Sequence, residues 1–170
     1  MKVYLDMDGV LTDFTRHVES WYSSIITNPT EWDFRYKEDF GMSGNEFWNG
    51  LSEDFWETMP WTTEGKQILD YVNLHNPIIL TSPPMSGGGI RGKIRWIKKN
   101  LPEIWKERRF FLGSRKHYLA SKDDVLIDDC EDNINDFNGA GGHGILVPRP
   151  WNSLRGKNVL THLMYSMNCR

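Results

Sequence analysis

Cysteine is scarce in this sequence of 170 residues, and its two copies stand far apart. Cys130 and Cys169 form no CxxC pair, so their spacing indicates neither a zinc site nor a disulfide framework. Free thiols are typical of reducing compartments, where disulfides are rare. We therefore expect a cytoplasmic protein.

Long apolar runs and massed basic residues are also missing. No apolar run approaches the roughly 20 residues needed to cross a bilayer, so we expect no membrane contact. The first residues predict a strand rather than a signal peptide. The formal net charge is −3, and the basic residues are too dispersed to make duplex nucleic acid the expected partner. The chain has no internal repeat, and its length suits one domain with room for a small insertion.

The most informative stretch that is present is MKVYLDMDGVLTDF, residues 1–14. Residues 3–5 form a short apolar run that is typical of a buried strand. Asp6 and Asp8 follow at a spacing that directs both side chains to one face, before Gly9 lets the chain turn. Two negative charges this close repel each other, which costs free energy unless a cation or a shared proton offsets the repulsion. The stretch predicts a metal site or an acid–base pair, and the alternative is a solvent-exposed aspartate-rich turn.

Strand and helix patterns alternate along the rest of the chain. Short apolar runs predict further strands at 77–82, 110–112, 125–127 and 145–147. Apolar spacings and capping signals predict helices at 12–26, 43–51, 63–74, 90–100, 131–138 and 159–167. Such alternation predicts an α/β fold, with a parallel sheet covered on both faces.

The predicted sheet gathers polar side chains at one edge, because ligands in parallel sheets bind at the carboxyl ends of the strands. The residues that follow strand ends are Asp6, Asp8, Thr81, Ser82, Lys116, Asp128 and Asp129. Carboxylate oxygens suit magnesium, and hydroxyl and ammonium groups suit phosphate oxygens. One carboxylate can attack phosphorus while another transfers protons. The set indicates phosphoryl transfer through an aspartyl phosphate.

Four segments of the chain resemble the ordered motifs of the haloacid dehalogenase superfamily of phosphatases. They are DMDGVLTDF, ILTSPP, SRKHYLA and VLIDDCEDN, and they span most of the chain. The closest resemblance is to the 5′(3′)-deoxyribonucleotidase family. It implies a Rossmann-like parallel sheet core, residues 1–13 and 77–170, with a small helical cap, residues 14–76, inserted after the first strand.

The resemblance also implies roles for individual residues. Asp6 corresponds to the nucleophile and Asp8 to the general acid and base. Thr81, its neighbour Ser82 and Lys116 correspond to the groups that bind the phosphoryl group.

Magnesium is the cofactor that the resemblance implies. Its ligands would be Asp6, the backbone carbonyl of Asp8, and one or both of Asp128 and Asp129. Two departures from the family pattern stand out. Cys130 occupies the place of an arginine, and the spacing from the motif lysine to Asp128 is about two residues longer, which leaves Lys122 as the alternative to Lys116.

The predicted cap is rich in aromatic residues, and most of them are expected to pack in its core. Phe14 is expected to contact a nucleobase, because it lies one turn from the aspartates and matches a base-contacting position of the family. Trp32 and Trp56 are further candidates for base stacking. Trp61 is expected to pack where the cap returns to the core.

The predicted helix at 90–100 is strongly basic. We expect its lysines and arginines to form a solvated face. The alternative is that Arg91 or Lys93 reaches the substrate.

These observations predict a magnesium-dependent phosphomonoesterase that acts on small-molecule nucleoside monophosphates, deoxypyrimidine ones first, as a monomer or homodimer. The first alternative is a phosphatase for another small phosphorylated metabolite or for a nucleic-acid end. The second is a non-catalytic module that binds phosphate or nucleotide.

Overall fold

The computed structural model describes residues 1–31, 34–84 and 88–169. Trp32, one of the residues predicted to stack on a base, lies outside these ranges. Every helix in the described ranges is too short or too polar to cross a membrane.

Five parallel strands form the centre of the molecule, in the order β3-β2-β1-β4-β5. Their bounds are β1 (Val3–Leu5), β2 (Ile78–Thr81), β3 (Phe110–Leu112), β4 (Val125–Asp128) and β5 (His143–Leu146). Every residue of β1 and β4 is buried, as expected for central strands with helices on both faces. The α/β class predicted from the sequence is confirmed.

Nine α-helices and two 3₁₀ helices occur in the described residues. The α-helices are α1 (Phe14–Tyr22), α2 (Tyr36–Phe40), α3 (Gly44–Gly50), α4 (Glu53–Glu57), α5 (Gly65–Val72), α6 (Gly89–Asn100), α7 (Pro102–Lys106), α8 (Glu131–Gly139) and α9 (Val159–Asn168). The 3₁₀ helices are Asn73–His75 and Lys116–Leu119. All six helices predicted from the sequence are present, whereas α2, α4 and α7 were not predicted because five residues give too short a pattern.

Local signals account for several element ends. The Asp13 side chain accepts from the backbone N–H of Arg16 and starts α1, which ends before Ser23 at a positive φ of 52°. The predicted capping box at the start of α3 is confirmed, because Ser43 and Glu46 hydrogen-bond reciprocally. Strand β5 begins at His143, two residues earlier than predicted, because the glycine-rich stretch before it looked like a turn.

The core is continuous across the predicted boundary between core and cap. Val3 and Ile79 of the sheet belong to the same buried hydrophobic cluster as Phe47 and Phe55 of the predicted cap. The division into 1–13 with 77–170 and 14–76 stays a prediction.

Helices α4 and α6 pack closely because α6 presents glycine at the crossing. A side chain at Gly92 would collide with the Trp56 Cβ and the Glu53 carbonyl. This contact brings Trp56 over Lys93, whose Nζ lies 5.1 Å from the centre of an aromatic ring of Trp56. The crossing therefore directs one lysine of α6 inward, toward the end of β1.

Candidate active site

Three buried carboxylates meet at the carboxyl end of the sheet. Asp6, Asp128 and Asp129 each offer one oxygen, and these oxygens lie within 4.8 Å of one another. Lys116, in the 3₁₀ helix after β3, stands beside them. Its Nζ lies 2.9 Å from Asp6 Oδ1 and 2.6 Å from Asp128 Oδ2. Strands β1, β3 and β4 thus place these four side chains together, as the strand-end argument predicted.

A second polar cluster surrounds Asp8. Lys93 has no exposed surface, and its Nζ donates to Asp8 Oδ2. The same Nζ donates to Thr81 Oγ1 over 2.8 Å and to the backbone carbonyl of Ser82 over 3.2 Å. The Thr12 hydroxyl donates to Asp8 Oδ1 over 3.1 Å. The Asp8 carboxylate is therefore held from two sides, outside the group formed by Asp6 and its neighbours.

The two clusters carry more negative than positive charge, because four carboxylates face two ammonium groups. Burial raises the pKa of Asp129 well above its usual value, and the charges of Asp128 and Asp6 raise it further. Burial also raises the pKa of Asp128, although Lys116 opposes the change. Burial alone would lower the pKa of the Lys116 ammonium group. The carboxylates of Asp128 and Asp6 outweigh burial, so this pKa is raised above its usual value. Such a site favours the binding of a further cation.

The donor set fits a hard divalent metal ion. Asp129 Oδ1 is buried and has no hydrogen-bond partner among the described residues. Gly9, at a φ of +72°, lies so close that a side chain there would collide with the Asp129 carboxylate. Magnesium is usually held by one or two carboxylates together with water and substrate phosphate. Asp6, Asp128 and Asp129 can therefore hold such an ion.

The loop that follows β5, residues 147–157, closes one side of this site, and we call it the β5 loop. Trp151 Nε1 donates to Asp129 Oδ2 over 2.8 Å. Asn152 Nδ2 donates to the backbone carbonyl of Asp129 over 2.9 Å. The β5 loop thus contacts both the side chain and the backbone of one candidate metal ligand.

A cavity of about 380 Å³ opens beside Asp8, and we call it the Asp8 cavity. It is lined by Asp8, Phe14, Trp48, Trp56, Ser82, Pro83 and Pro84. Its volume lies in the range of small-molecule sites, about 300–1,000 Å³. The Phe14 ring stacks on Trp48 at 5.9 Å and on Trp56 at 5.4 Å. An apolar aromatic wall therefore adjoins the polar clusters.

The structure separates the aromatic candidates for base stacking. Phe14 and Trp48 are half-buried in the wall of the Asp8 cavity. Trp56 is only 1% exposed, and its Nε1 donates to the Leu51 carbonyl, which favours packing over base stacking for this ring. Trp61 packs on Trp96, with ring centres 5.0 Å apart.

The phosphate-binding candidates also take distinct positions. Lys116 lies between the carboxylates, whereas the alternative, Lys122, is exposed and lines a different cavity, together with Met1 and His143. The Thr81 hydroxyl belongs to the Asp8 cluster. The Ser82 hydroxyl donates to the Gly113 carbonyl over 3.2 Å, so its hydrogen is already used in a bond to the backbone.

Sequence reasoning missed two features of the site. The expectation that Lys93 lies on a solvated face is wrong, because the close α4–α6 crossing buries it against Asp8. The role of Trp151 in the site was not predicted. Its place in the sequence was a usable signal, since residues 148–152 follow β5 at the same edge of the sheet.

Comparison with known proteins gives one family and a set of similar folds. The sequence profile of the family described as 5′ nucleotidase, deoxy (pyrimidine), cytosolic type C protein matches residues 1–158. No curated protein sequence matches the chain.

Solved structures share the fold at low sequence identity. A haloacid dehalogenase-like hydrolase from Streptococcus pneumoniae is 10% identical, with a TM-score of 0.54 over 97% of this chain and 90% of its own. A haloacid dehalogenase family enzyme from Bacteroides thetaiotaomicron, solved with magnesium and inorganic phosphate, is 17% identical, with a TM-score of 0.46 over 95% of this chain and 98% of its own. The first of these supports the fold.

Proposed function

The chain belongs to the 5′-nucleotidase, deoxy (pyrimidine), cytosolic type C family, and from that premise we propose that it dephosphorylates nucleoside monophosphates, deoxypyrimidine ones first, with magnesium. Family membership makes the chain a phosphatase, which weighs against the alternative of a non-catalytic binding module. The observation that carries the proposal is the convergence of three buried carboxylate oxygens within 4.8 Å beside Lys116. The family description also supports a cytosolic location.

Asp6 is the proposed nucleophile. Its carboxylate attacks phosphorus, forms an acyl phosphate and breaks the bond to the leaving alcohol oxygen. Asp6, Asp128, Asp129 and the Asp8 carbonyl would hold magnesium, which when bound would supply positive charge against the phosphoryl oxygens. Lys116 and the Thr81 hydroxyl are the proposed contacts for the transferred group, since Lys116 Nζ lies beside Asp6 and the Thr81 hydroxyl shares the Lys93 ammonium group with Asp8.

Asp8 is the proposed general acid and base. It gives a proton to the leaving oxygen, and then takes one from the water that hydrolyses the acyl phosphate, so the second step restores the group used in the first. Its carboxylate lines the Asp8 cavity, and this cavity is the proposed route for the leaving nucleoside and the attacking water. Lys93 and Thr12 hold this carboxylate in place.

The substrate base is proposed to lie against Phe14 and Trp48. Stacking of a base on an aromatic ring contributes about 1–3 kcal/mol. If all the aromatic rings of the predicted cap were buried in its core, another phosphorylated metabolite would be favoured as substrate. The half-buried rings in the wall of the Asp8 cavity favour a nucleobase.

Replacing Phe14 by leucine is expected to lower kcat/KM for a deoxypyrimidine monophosphate by about tenfold, because leucine keeps apolar bulk but removes the aromatic face. Hydrolysis of p-nitrophenyl phosphate should change by less than about twofold, since its small leaving group does not need that face. Steady-state kinetics on both substrates measures the difference. Phe40→Leu is the control, because Phe40 packs on Tyr22 and Phe47 in the same region. Equal losses on both substrates in Phe14→Leu would argue against base stacking.

Lys93→Met is expected to reduce kcat by about 10- to 100-fold, less than the roughly 10²–10⁴-fold expected from loss of the acid–base group itself. The methionine fills a similar volume but no longer holds the Asp8 carboxylate or the Thr81 hydroxyl. Pre-steady-state kinetics should show slower formation and slower hydrolysis of the phosphorylated enzyme. The control is Lys99→Met, on the exposed side of the same helix. A normal kcat in Lys93→Met would show that Lys93 has no role in the mechanism.

A substrate panel tests the proposed function as a whole. Deoxyribonucleoside and ribonucleoside 5′- and 3′-monophosphates, sugar phosphates and a 5′-phosphorylated oligonucleotide are each assayed for phosphate release, with magnesium and with EDTA. We expect magnesium-dependent release, fastest from a deoxypyrimidine monophosphate. Faster release from sugar phosphates or from the oligonucleotide would favour a phosphatase for another metabolite or for a nucleic-acid end. Release that is unchanged by EDTA would show that the reaction does not need a metal ion.

A further inference from the structure

Trp151 makes the two oxygens of the Asp129 carboxylate unequal. Its indole Nε1 donates to Oδ2 over 2.8 Å, whereas Oδ1 is buried without a hydrogen-bond partner among the described residues. Burying a carboxylate oxygen without a hydrogen-bond partner costs free energy. The bond from Trp151 therefore leaves Oδ1 as the oxygen that is available to a cation.

The β5 loop that carries Trp151 is held by Asn152, which is 5% exposed. Asn152 Nδ2 donates to the carbonyls of Asp129 and Val147, over 2.9 and 2.8 Å. Its Oδ1 accepts from the backbone N–H groups of Arg149 and Leu154, over 3.2 and 3.1 Å. One amide side chain thus joins both sides of the loop to the backbone of Asp129. These four hydrogen bonds hold the loop from which the indole of Trp151 reaches Asp129.

The same loop reaches the turn after β1. Arg149 Nε donates to the backbone carbonyl of Gly9, and its Nη1 lies 3.2 Å from Glu64 Oε2. Gly9 is also the residue whose missing side chain makes room for the Asp129 carboxylate. The β5 loop therefore connects the strand end that carries Asp6 with the strand end that carries Asp129.

We propose that Trp151 is a positioning residue that directs Asp129 Oδ1 at the divalent cation and thereby sets the affinity of the site for magnesium. This inference rests on the proposed function, because it requires the carboxylate cluster to bind a metal. Groups that hydrogen-bond to a metal ligand orient it, and their loss typically weakens metal binding by about 10- to 100-fold. Trp151 also lines the small aromatic pocket next to Phe14, so phenylalanine is the replacement that keeps a ring there.

Trp151→Phe removes the N–H donor and keeps the aromatic ring. We expect its dissociation constant for magnesium to rise about tenfold, obtained by fitting the dependence of Tm on magnesium concentration without substrate. The Tm in EDTA should stay within a few degrees of the parent value. At saturating magnesium, KM for the nucleotide should be unchanged, whereas the magnesium concentration for half-maximal activity should rise in step with the dissociation constant.

Terbium luminescence gives a second readout. A Tb³⁺ ion bound to Asp129 would lie next to the indole of Trp151, so excitation of tryptophan should give sensitised emission that Trp151→Phe largely loses. Trp105→Phe is the matched control, because Trp105 stacks on Phe110 at the amino end of β3, away from the strand ends that form the site. It should keep both the emission and the affinity for magnesium.

The outcomes separate the two proposals. If the parent protein shows a magnesium-dependent rise in Tm and Trp151→Phe gives the same fitted dissociation constant, the role of Trp151 is refuted and the proposed function stands. If the parent protein shows no such rise, the proposal that the site binds magnesium is refuted, and the inference about Trp151 is refuted with it. A dissociation constant for magnesium that is raised about tenfold in Trp151→Phe, and unchanged in Trp105→Phe, supports the inference.

Discussion

Asp6→Asn is expected to reduce kcat by at least about 10⁴-fold, the largest loss among the substitutions considered, because an amide cannot form the acyl phosphate. The fold should persist, since asparagine has the same shape and relieves part of the charge repulsion with Asp128 and Asp129. Initial rates with the preferred nucleotide, together with the Tm, measure both effects. Binding of the substrate should be largely retained.

The control for Asp6→Asn is Asp123→Asn, an exposed position just before β4. Its kcat should be unchanged. If Asp6→Asn kept more than about a tenth of the parent rate, another group would have to attack phosphorus, and the role given to Asp6 would be wrong.

Lys116→Met is expected to lower the free energy of unfolding by about 3–5 kcal/mol in EDTA, because it leaves buried carboxylates without their cation. Lys116 is 2% exposed and pairs with Asp6 and Asp128, so water cannot replace its ammonium group easily. Urea denaturation at neutral pH measures the loss. Magnesium should restore part of the stability, because it supplies positive charge to the same carboxylates.

Lys122→Met is the matched control, since Lys122 is exposed and was the alternative candidate for the phosphate lysine. We expect its free energy of unfolding to change by less than about 0.5 kcal/mol and its kcat to stay normal. A normal kcat in Lys116→Met, with a large loss in Lys122→Met, would reverse the assignment of the two lysines.

The sheet and most of the carboxylate cluster were predictable because they depend on local patterns. Short apolar runs that end in aspartate predicted β1 and β4, and the parallel topology then brings Asp6 and Asp128 to one edge without any knowledge of side-chain contacts. The capping box at Ser43 is likewise a local signal, and α3 begins there.

The burial of Lys93 could not be predicted from α6 alone. Basic residues surround Lys93 on that helix, and the pattern of a charged helix usually indicates a solvated face. What buries this lysine is the close crossing with α4, which depends on the small size of Gly92 and on a helix of five residues that has no clear pattern. The contact is tertiary, and so is the bond from Trp151 to Asp129, which joins residues 22 positions apart.

Acid quench of the enzyme during turnover of a nucleotide labelled with ³²P, followed by peptide mapping, shows directly whether Asp6 takes up the phosphoryl group. We expect label on the peptide that contains Asp6, in a bond that hydroxylamine cleaves as it does acyl phosphates, and no label when EDTA replaces magnesium. Label on a different residue, or turnover of the nucleotide with no labelled peptide, would show that Asp6 is not the nucleophile.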